Sequence, residues 1–144
     1  MSDNKQTLRN AFRLPVSMLV KISKNGFWIG DDRLEAIEGR VVKTVLLRKR
    51  FDGSVLVCDS QDGVTARNGT VCESCLHPLC RPQLRIHVHD GVVSHVIDLA
   101  TTSARNFFRV EDEVARRELR RSDVVLRLTV VDRKQWGEVC FQIL

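Results

Sequence analysis

The alternation of apolar and polar positions predicts a chain made mainly of β-strands. A short apolar run from Val16 to Ile22 predicts one strand, and a longer segment rich in β-branched residues runs from 40 to 51. Between them lies an acidic stretch in which Leu34 and Ile37 have helical spacing, so we expect at most a short helix there. The first part of the chain is therefore predicted as strand, short helix, strand.

Two tight turns mark the strands that follow. Asp52-Gly53 is a strong hairpin signal and leads into a strand over 54–60. Asp90-Gly91 joins a strand of alternating apolar and polar residues to the next one. With two residues in this turn, we expect His95 to lie opposite Ile86, on the apolar face of the pair.

A single helix and a last hairpin complete the pattern. The helix is predicted over 104–121, with Ser103 as its N-cap. Its apolar stripe includes Phe107 and Phe108, which we expect in the core. The final hairpin spans 124–143.

This order of elements predicts a mostly β (α+β) fold. A five-stranded Greek-key barrel with one helix before its last two strands is an OB-fold, which is a common platform for oligonucleotides. An SH3-like barrel or another small α+β sheet is the alternative. We expect 40–144 to form the OB-fold-like domain with an inserted loop at 58–82, 16–39 to be an N-terminal extension packed on the barrel, and 1–15 to be a flexible basic arm.

Composition narrows the class of protein. The 144 residues are 43% hydrophobic and 28% charged, which is typical of a globular domain and excludes a disordered tail or a coiled-coil rod. No apolar run approaches the roughly 20 residues that span a bilayer. Since 1–10 also lacks the apolar stretch of a signal peptide, we expect a cytoplasmic protein. The net charge of +5 favours a polyanion partner.

The inserted loop carries most of the cysteines. Cys72, Cys75 and Cys80 lie within nine residues, and Cys58 ends the preceding strand. Four thiolates in this arrangement predict a closed, structural zinc site, which would also order the loop. His77 could replace Cys58 as the fourth ligand. The alternative is a buried Cys58 with three surface thiols.

Other chemistry for the cysteines is weaker. No βαβ pattern surrounds the C-x-x-C pair, which argues against a thioredoxin-like redox role. A zinc deaminase would need an H-x-E motif, and the chain has none. Cys140 shares a strand face with Glu138 and Gln142 and is expected to be a packing residue. We find no phosphate loop, no nucleophile–base spacing and no open metal position, so we do not expect an enzyme.

The predicted tips of two distant hairpins each combine cations with an aromatic residue. In an OB-fold these loops flank the binding face, where bases stack on aromatics and cations follow the phosphates. Phe51 and Trp136 could instead close the ends of the barrel, and we expect Phe27 and Trp28 to pack against it. The candidate nucleic-acid-binding residues are Arg40, Lys43, Arg48, Lys49, Arg50, Phe51, Arg67, Arg81, Arg85, Arg133, Lys134 and Trp136.

Three motifs together carry a resemblance to a known class. They are Glu38-Gly-Arg-Val-Val, the cysteine pattern of the loop, and the segment 96–108 with its Thr-Thr-Ser turn and paired phenylalanines. In these the chain resembles OB-fold single-stranded-DNA-binding proteins of the phage and mobile-element type with an embedded zinc loop. The resemblance covers roughly 40–144 and implies a protein that coats DNA without catalysis.

The predicted function is therefore binding of single-stranded DNA, with weak sequence preference, in replication, recombination or DNA transfer. Replication or recombination proteins would be its partners. A zinc-stabilised protein-interaction or regulatory module is one alternative, favoured by the acidic run beside Phe27 and Trp28. An RNA-binding OB module is the other.

Overall fold

The computed structural model describes residues 16–52, 55–60 and 80–144. These form nine strands and one α-helix. In chain order they are β1 (Val16–Ser23), β2 (Gly26–Ile29), β3 (Asp32–Leu34), β4 (Ala36–Asp52), β5 (Val55–Ser60), β6 (Cys80–His89), β7 (Val93–Leu99), α1 (Thr101–Arg116), β8 (Leu126–Asp132) and β9 (Gly137–Ile143). A 3-10 turn at Arg121–Asp123 connects the helix to β8. Among the described residues no helix is long and apolar enough to cross a membrane.

All nine strands belong to one mixed sheet. Eight of them follow the order β3-β2-β1-β7-β6-β4-β8-β9, and β5 pairs with β4 beside this path. The pairing of β1 with β7 is parallel, and every other described pairing is antiparallel. The mostly β architecture with a helix before the last two strands is therefore confirmed. Within 40–144 the structure has six strands, β4 to β9, instead of the five of the expected Greek-key barrel.

The strand count was wrong because the N-terminal extension is part of the sheet. β1 adds to the edge of β7, and β2 and β3 continue outward from it. The short helix expected over 31–38 is β3 and the start of β4. There Leu34 pairs with Phe27, and Ile37 pairs with Leu128 in the core. Burial of these side chains between strands outweighs their helical spacing.

Gly39 explains how the long strand β4 serves two neighbours. Residues 36–39 pair with β8, and from Arg40 onward the strand pairs with β6. A Cβ at position 39 would collide with the backbone carbonyl oxygen of His89. The glycine therefore lets β4 change partner, and the boundary expected between 39 and 40 falls inside a continuous strand.

The two ends of the sheet curl toward each other over one core. The β8–β9 hairpin reaches the β1–β2 turn so closely that a Cβ at Gly137 would collide with the carbonyl oxygen of Ser23. Phe27 from β2 and Leu128 from β8 are fully buried in one hydrophobic core, and Phe107 of α1 is buried in the same core. The result is a barrel-like fold rather than a flat sheet.

Helix α1 also protects the outer edge of β9. The backbone N–H of Val139 donates to Ser103 Oγ at 2.9 Å, and Asn106 Nδ2 donates to the Val139 carbonyl at 3.0 Å. Ser103 was expected as the N-cap. The N-cap is Ala100, without a side-chain hydrogen bond, because the serine hydroxyl is used at this edge. The helix ends at Arg116, short of 121, and Glu118 has a left-handed φ of 56°.

The β6–β7 turn is longer than two residues. The Asp90 carboxylate accepts from the N–H groups of Val92 and Val93, and this opens the turn. His95 therefore pairs with Val88 instead of Ile86. Because the register shifts by two positions, the expected burial of His95 on the apolar face is confirmed.

Candidate nucleic-acid interface

The outer face of β4 and β6 carries five of the ten cations that the sequence singled out. On β6, Leu84, Ile86 and Val88 point into the core, so the intervening side chains of Arg85 and His87 point outward. The facing segment of β4 contributes Lys43 and Lys49, paired in register with His87 and Arg81. We use the name cationic face for the outward-pointing basic residues of 40–49 and 81–89, which are Arg40, Lys43, Lys49, Arg81, Arg85 and His87.

A β-bulge brings two of these cations onto the same face. Arg40 and Lys43 are three residues apart, and a regular strand would place them on opposite sides. The register shifts between Val41 and Lys43, so Arg40 pairs with His89 and Lys43 with His87. Both partners lie on the outward side of β6. The bulge therefore adds a positive charge to the cationic face at a point where simple alternation would not.

One carboxylate lies among these cations. Asp98 of β7 accepts hydrogen bonds from Arg85 Nε at 2.7 Å, from Arg85 Nη2 at 3.0 Å and from Lys49 Nζ at 2.9 Å. Burial raises the pKa of Asp98, but the hydrogen bonds from Arg85 and Lys49 outweigh it, and the pKa falls below its usual value. The hydrogen bond to Asp98 raises the pKa of Arg85 in turn. Asp98 is the only acidic residue in 40–49, β6 and β7, so positive charge remains in excess.

His87 lies in the middle of this charge. Its partial burial lowers its pKa first, and the charges of Lys43 and Arg85 lower it further. The imidazole is therefore held neutral near pH 7 first by its partial burial and then by the same cations that would attract an anion. His89 lies half-buried beside it, and its Nδ1 accepts from the N–H of Gly91 at 3.0 Å.

A surface cavity joins the two hairpin regions at one end of the cationic face. Lys49 and Arg81 line one side of it, and the half-exposed Trp136 of the β8–β9 turn lines the other. Its volume is about 390 Å³. The first turn of α1, at Thr101 and Thr102, completes the wall. That turn holds no acidic residue and its N-cap makes no side-chain hydrogen bond.

The turn that presents Trp136 is well defined. The N–H of Arg133 donates to the Trp136 carbonyl at 2.9 Å, and the N–H of Lys134 donates to Asp132 Oδ1 at 2.7 Å. Arg133 forms an ion pair with Glu138 at 3.2 Å. Of the three candidates on this hairpin, Trp136 alone lines the cavity, whereas Arg133 and Lys134 are exposed beside it.

The other candidates divide into three groups. Arg48 belongs to β4 but alternates with Lys49, so it lies on the opposite face from the cavity cation. For Arg50 and Phe51 the structure describes the strand but not the side chains. Arg67 lies outside the described residues.

The predicted zinc ligands fall mostly outside the described part of the chain. Cys72, Cys75 and the alternative ligand His77 lie there. Cys58 and Cys80 are placed by their backbones alone, and both pair in register with Arg50, from opposite edges of β4. Among the described residues no three potential ligands come together. The metal site therefore stays a prediction.

Two features of the interface were missed from the sequence. Asp98 was not among the candidates, because its cross-strand position opposite Arg85 depends on the register of the β6–β7 turn. Phe108 was expected in the core but is 50% exposed. Adjacent helical residues point about 100° apart, so only Phe107 can face the barrel.

Comparison with known proteins finds no match for the chain among family models, curated proteins or solved structures.

Proposed function

We propose that this protein binds single-stranded DNA without catalysis, using the cationic face and the cavity beside Trp136. The observation that carries the proposal is the meeting of Trp136 with Lys49 and Arg81 at one cavity. An exposed aromatic ring offers a stacking surface to an unpaired base, worth about 1–3 kcal/mol, and neighbouring cations bind the phosphates. The first turn of α1 adds backbone N–H groups, which favour an anion.

The arrangement of the strands supports the same function. An OB barrel opened between its third and fifth strands has the order 3-2-1-4-5, with a helix between the third and fourth. The central strands here run β7-β6-β4-β8-β9 with α1 between β7 and β8. In OB-folds the face of strands 2 and 3 and the loop between strands 4 and 5 bind oligonucleotides. Strand 2 of that comparison is β6, so Arg81, Arg85 and His87 lie on part of the corresponding surface, and the β8–β9 turn that holds Trp136 corresponds to the loop between strands 4 and 5.

A single strand suits this surface better than a duplex does. Trp136 can stack on a base only if that base has left its pairing partner. We therefore expect weak sequence preference, because every base has a stacking face, and strong dependence on salt, because phosphates supply much of the affinity. A role in replication, recombination or DNA transfer, together with the proteins of those processes, follows from such binding.

The test is fluorescence anisotropy of labelled oligo-dT at several salt concentrations, with duplex DNA and RNA as competitors. We expect Trp136→Ala to weaken binding by about 5- to 150-fold and Trp136→Phe to retain most of it. Arg81→Gln should weaken binding and reduce the salt dependence. Arg120→Gln is the matched control, because it removes an exposed charge beyond the C-terminal end of α1, away from the cavity. Absence of oligo-dT binding by the folded protein would refute the proposal and favour a protein-interaction module. If RNA competes better than single-stranded DNA does, the ligand is RNA.

We further propose that structural zinc is bound by Cys58, Cys72, Cys75 and Cys80, as the sequence spacing suggests. Metal analysis of the purified protein should give one zinc per chain, and Cys72→Ser should lose it together with thermal stability. Cys140→Ser is the control. Cys140 lies on β9 with its Sγ 3.6 Å from Glu138, and burial raises the pKa of its thiol. Full zinc content in Cys72→Ser would exclude this ligand set.

A further inference from the structure

The exposure of Phe108 is unusual for its place in the fold. The residue lies in the second turn of α1, immediately after the buried Phe107, and the two ring centroids are 5.9 Å apart. Half of Phe108 is open to solvent. A large aromatic side chain with half of its surface open to solvent is available for contact with a ligand.

Phe108 lines a second cavity that adjoins the first. This cavity has a volume of about 190 Å³, and its lining includes Leu46 and Arg105. Pro82, Gln83 and Thr101 line both cavities. The two cavities therefore adjoin along these three residues, and we call them together the groove, with Trp136 lining one of them and Phe108 the other.

The charge of this groove identifies the kind of occupant. Its lining includes three cations, Lys49, Arg81 and Arg105, and none of the described residues that line it is acidic. The ion pairs of the described residues do not include Arg81 or Arg105. An acidic or polyanionic chain fits such a surface, and exposed aromatics at both ends favour one that carries flat rings.

We infer that a single nucleic-acid strand runs along this groove, stacking one base on Trp136 and a later base on Phe108, with Arg105 bound to a phosphate between or beside them. The inference rests on the proposed function and adds a second stacking residue on the helix. The strand then crosses the start of α1 instead of staying on the cationic face. Phe108 acts only on strands long enough to reach it from Trp136.

The test compares oligo-dT of about 4 and about 16 nucleotides, the range of site sizes seen for one OB-fold. Phe108→Ala should weaken binding of the longer oligonucleotide by about 5- to 150-fold and leave the shorter one unchanged, whereas Trp136→Ala should weaken both. Phe108→Trp should restore binding of the longer strand, because indole also stacks. Leu119→Ala is the control, since it truncates an exposed apolar residue beyond the other end of α1.

The outcomes separate this inference from the function on which it rests. If the wild-type protein binds both oligonucleotides and Phe108→Ala matches it at both lengths, the second stacking residue is wrong and the proposed function stands. An equal loss at both lengths that Phe108→Trp does not restore also overturns the inference. If the wild-type protein binds neither oligonucleotide, the proposed function itself fails.

Discussion

Replacing Asp98 with asparagine should make the protein less stable and, at the same time, a tighter binder of single-stranded DNA. The carboxylate is 17% exposed and receives three hydrogen bonds from Lys49 and Arg85, whose side chains are also mostly covered. Asparagine keeps the size of the side chain but removes its charge. The substitution therefore leaves Lys49, Arg81 and Arg85 close together without a counter-charge.

The stability loss can be estimated from these contacts. Hydrogen bonds to charged groups contribute about 1.5–3 kcal/mol each, and asparagine can still accept one of them. We expect the free energy of unfolding to fall by about 1–3 kcal/mol. For a domain of this size each kcal/mol corresponds to about 3 °C, so Tm should fall by about 3–9 °C. Because the folded-state pKa of Asp98 is lowered, this contribution is present above about pH 4 and is lost in acid, so the two proteins should converge in stability there.

The gain in affinity follows from the charge that is released. A unit charge about 6 Å from a phosphate is worth about 0.7–2.8 kcal/mol for an effective dielectric constant between about 80 and 20. We therefore expect binding to tighten by about 3- to 100-fold at low salt. If Lys49 and Arg85 each reach a phosphate, the slope of log K against log salt should steepen by about 0.7–1.4.

The assay is anisotropy with oligo-dT over a salt series, at a temperature well below the Tm of the variant. Asp112→Asn makes the same charge change on the exposed side of α1 and should alter neither the slope nor the Tm appreciably. Weaker binding by folded Asp98→Asn at every salt concentration would refute the reasoning. Asp98 would then position Lys49 and Arg85 for the phosphates instead of competing with them.

Three further predictions concern groups elsewhere in the fold. Ser103→Ala should lower the free energy of unfolding, measured by urea titration, by about 1–3 kcal/mol, because the buried N–H of Val139 loses its hydrogen-bond acceptor. A urea midpoint equal to that of the wild-type protein would show that the hydrogen bond from Val139 to Ser103 does not stabilise the edge of β9. His87 should become more protonated when a polyanion binds, so the affinity for oligo-dT should rise as the pH falls from 7.5 to 5.5. His87→Gln should flatten that dependence. If the variant shows the same pH profile as the wild-type protein, His87 lies away from the ligand. Hydrogen bonds from the N–H groups of Val93 and Val92 lower the pKa of Asp90 to about 2. The charge therefore stabilises the fold above about pH 4, and this contribution is lost as the pH falls through about 2. After allowance for a side chain that is one-third exposed, Asp90→Ala should cost about 1 kcal/mol at pH 7 and much less near pH 2, whereas an equal cost at both would exclude the charge as the cause.

The strands of 40–144 could be predicted because their signals are local. Alternation placed Leu84, Ile86 and Val88 on one face, and the β6–β7 and β8–β9 turns carry residues typical of turns. The positions of β1 to β3 could not be predicted in the same way. Nothing in the sequence near Val16 indicates that it will pair in parallel with Val93, since that contact depends on the whole sheet being present.

The same division explains which parts of the candidate site were anticipated. The cavity joins Lys49, Arg81 and Trp136 because three separate pairings, β4 with β6, β4 with β8 and β8 with β9, bring two hairpins to one end of the barrel. Each pairing was implied by the element order, so the meeting of cations and ring was expected. The role of these residues stays a prediction that the binding assays must test.

What escaped prediction arises from offsets of one or two residues. The bulge after Val41 places Arg40 on the cationic face, and the wide turn at Asp90 sets Asp98 opposite Arg85. Such offsets depend on backbone hydrogen bonds, which the alternation of apolar and polar residues does not reveal. Each offset nevertheless changes the position of a charged side chain on the sheet. The charge balance of this face is therefore set by register. Shifting the β6–β7 register by two residues, by lengthening the turn, keeps Ile97 and Leu99 in the core and moves Asp98 away from its position opposite Arg85. A steeper salt dependence of oligo-dT binding in such a variant would reproduce the effect of Asp98→Asn without removing the carboxylate.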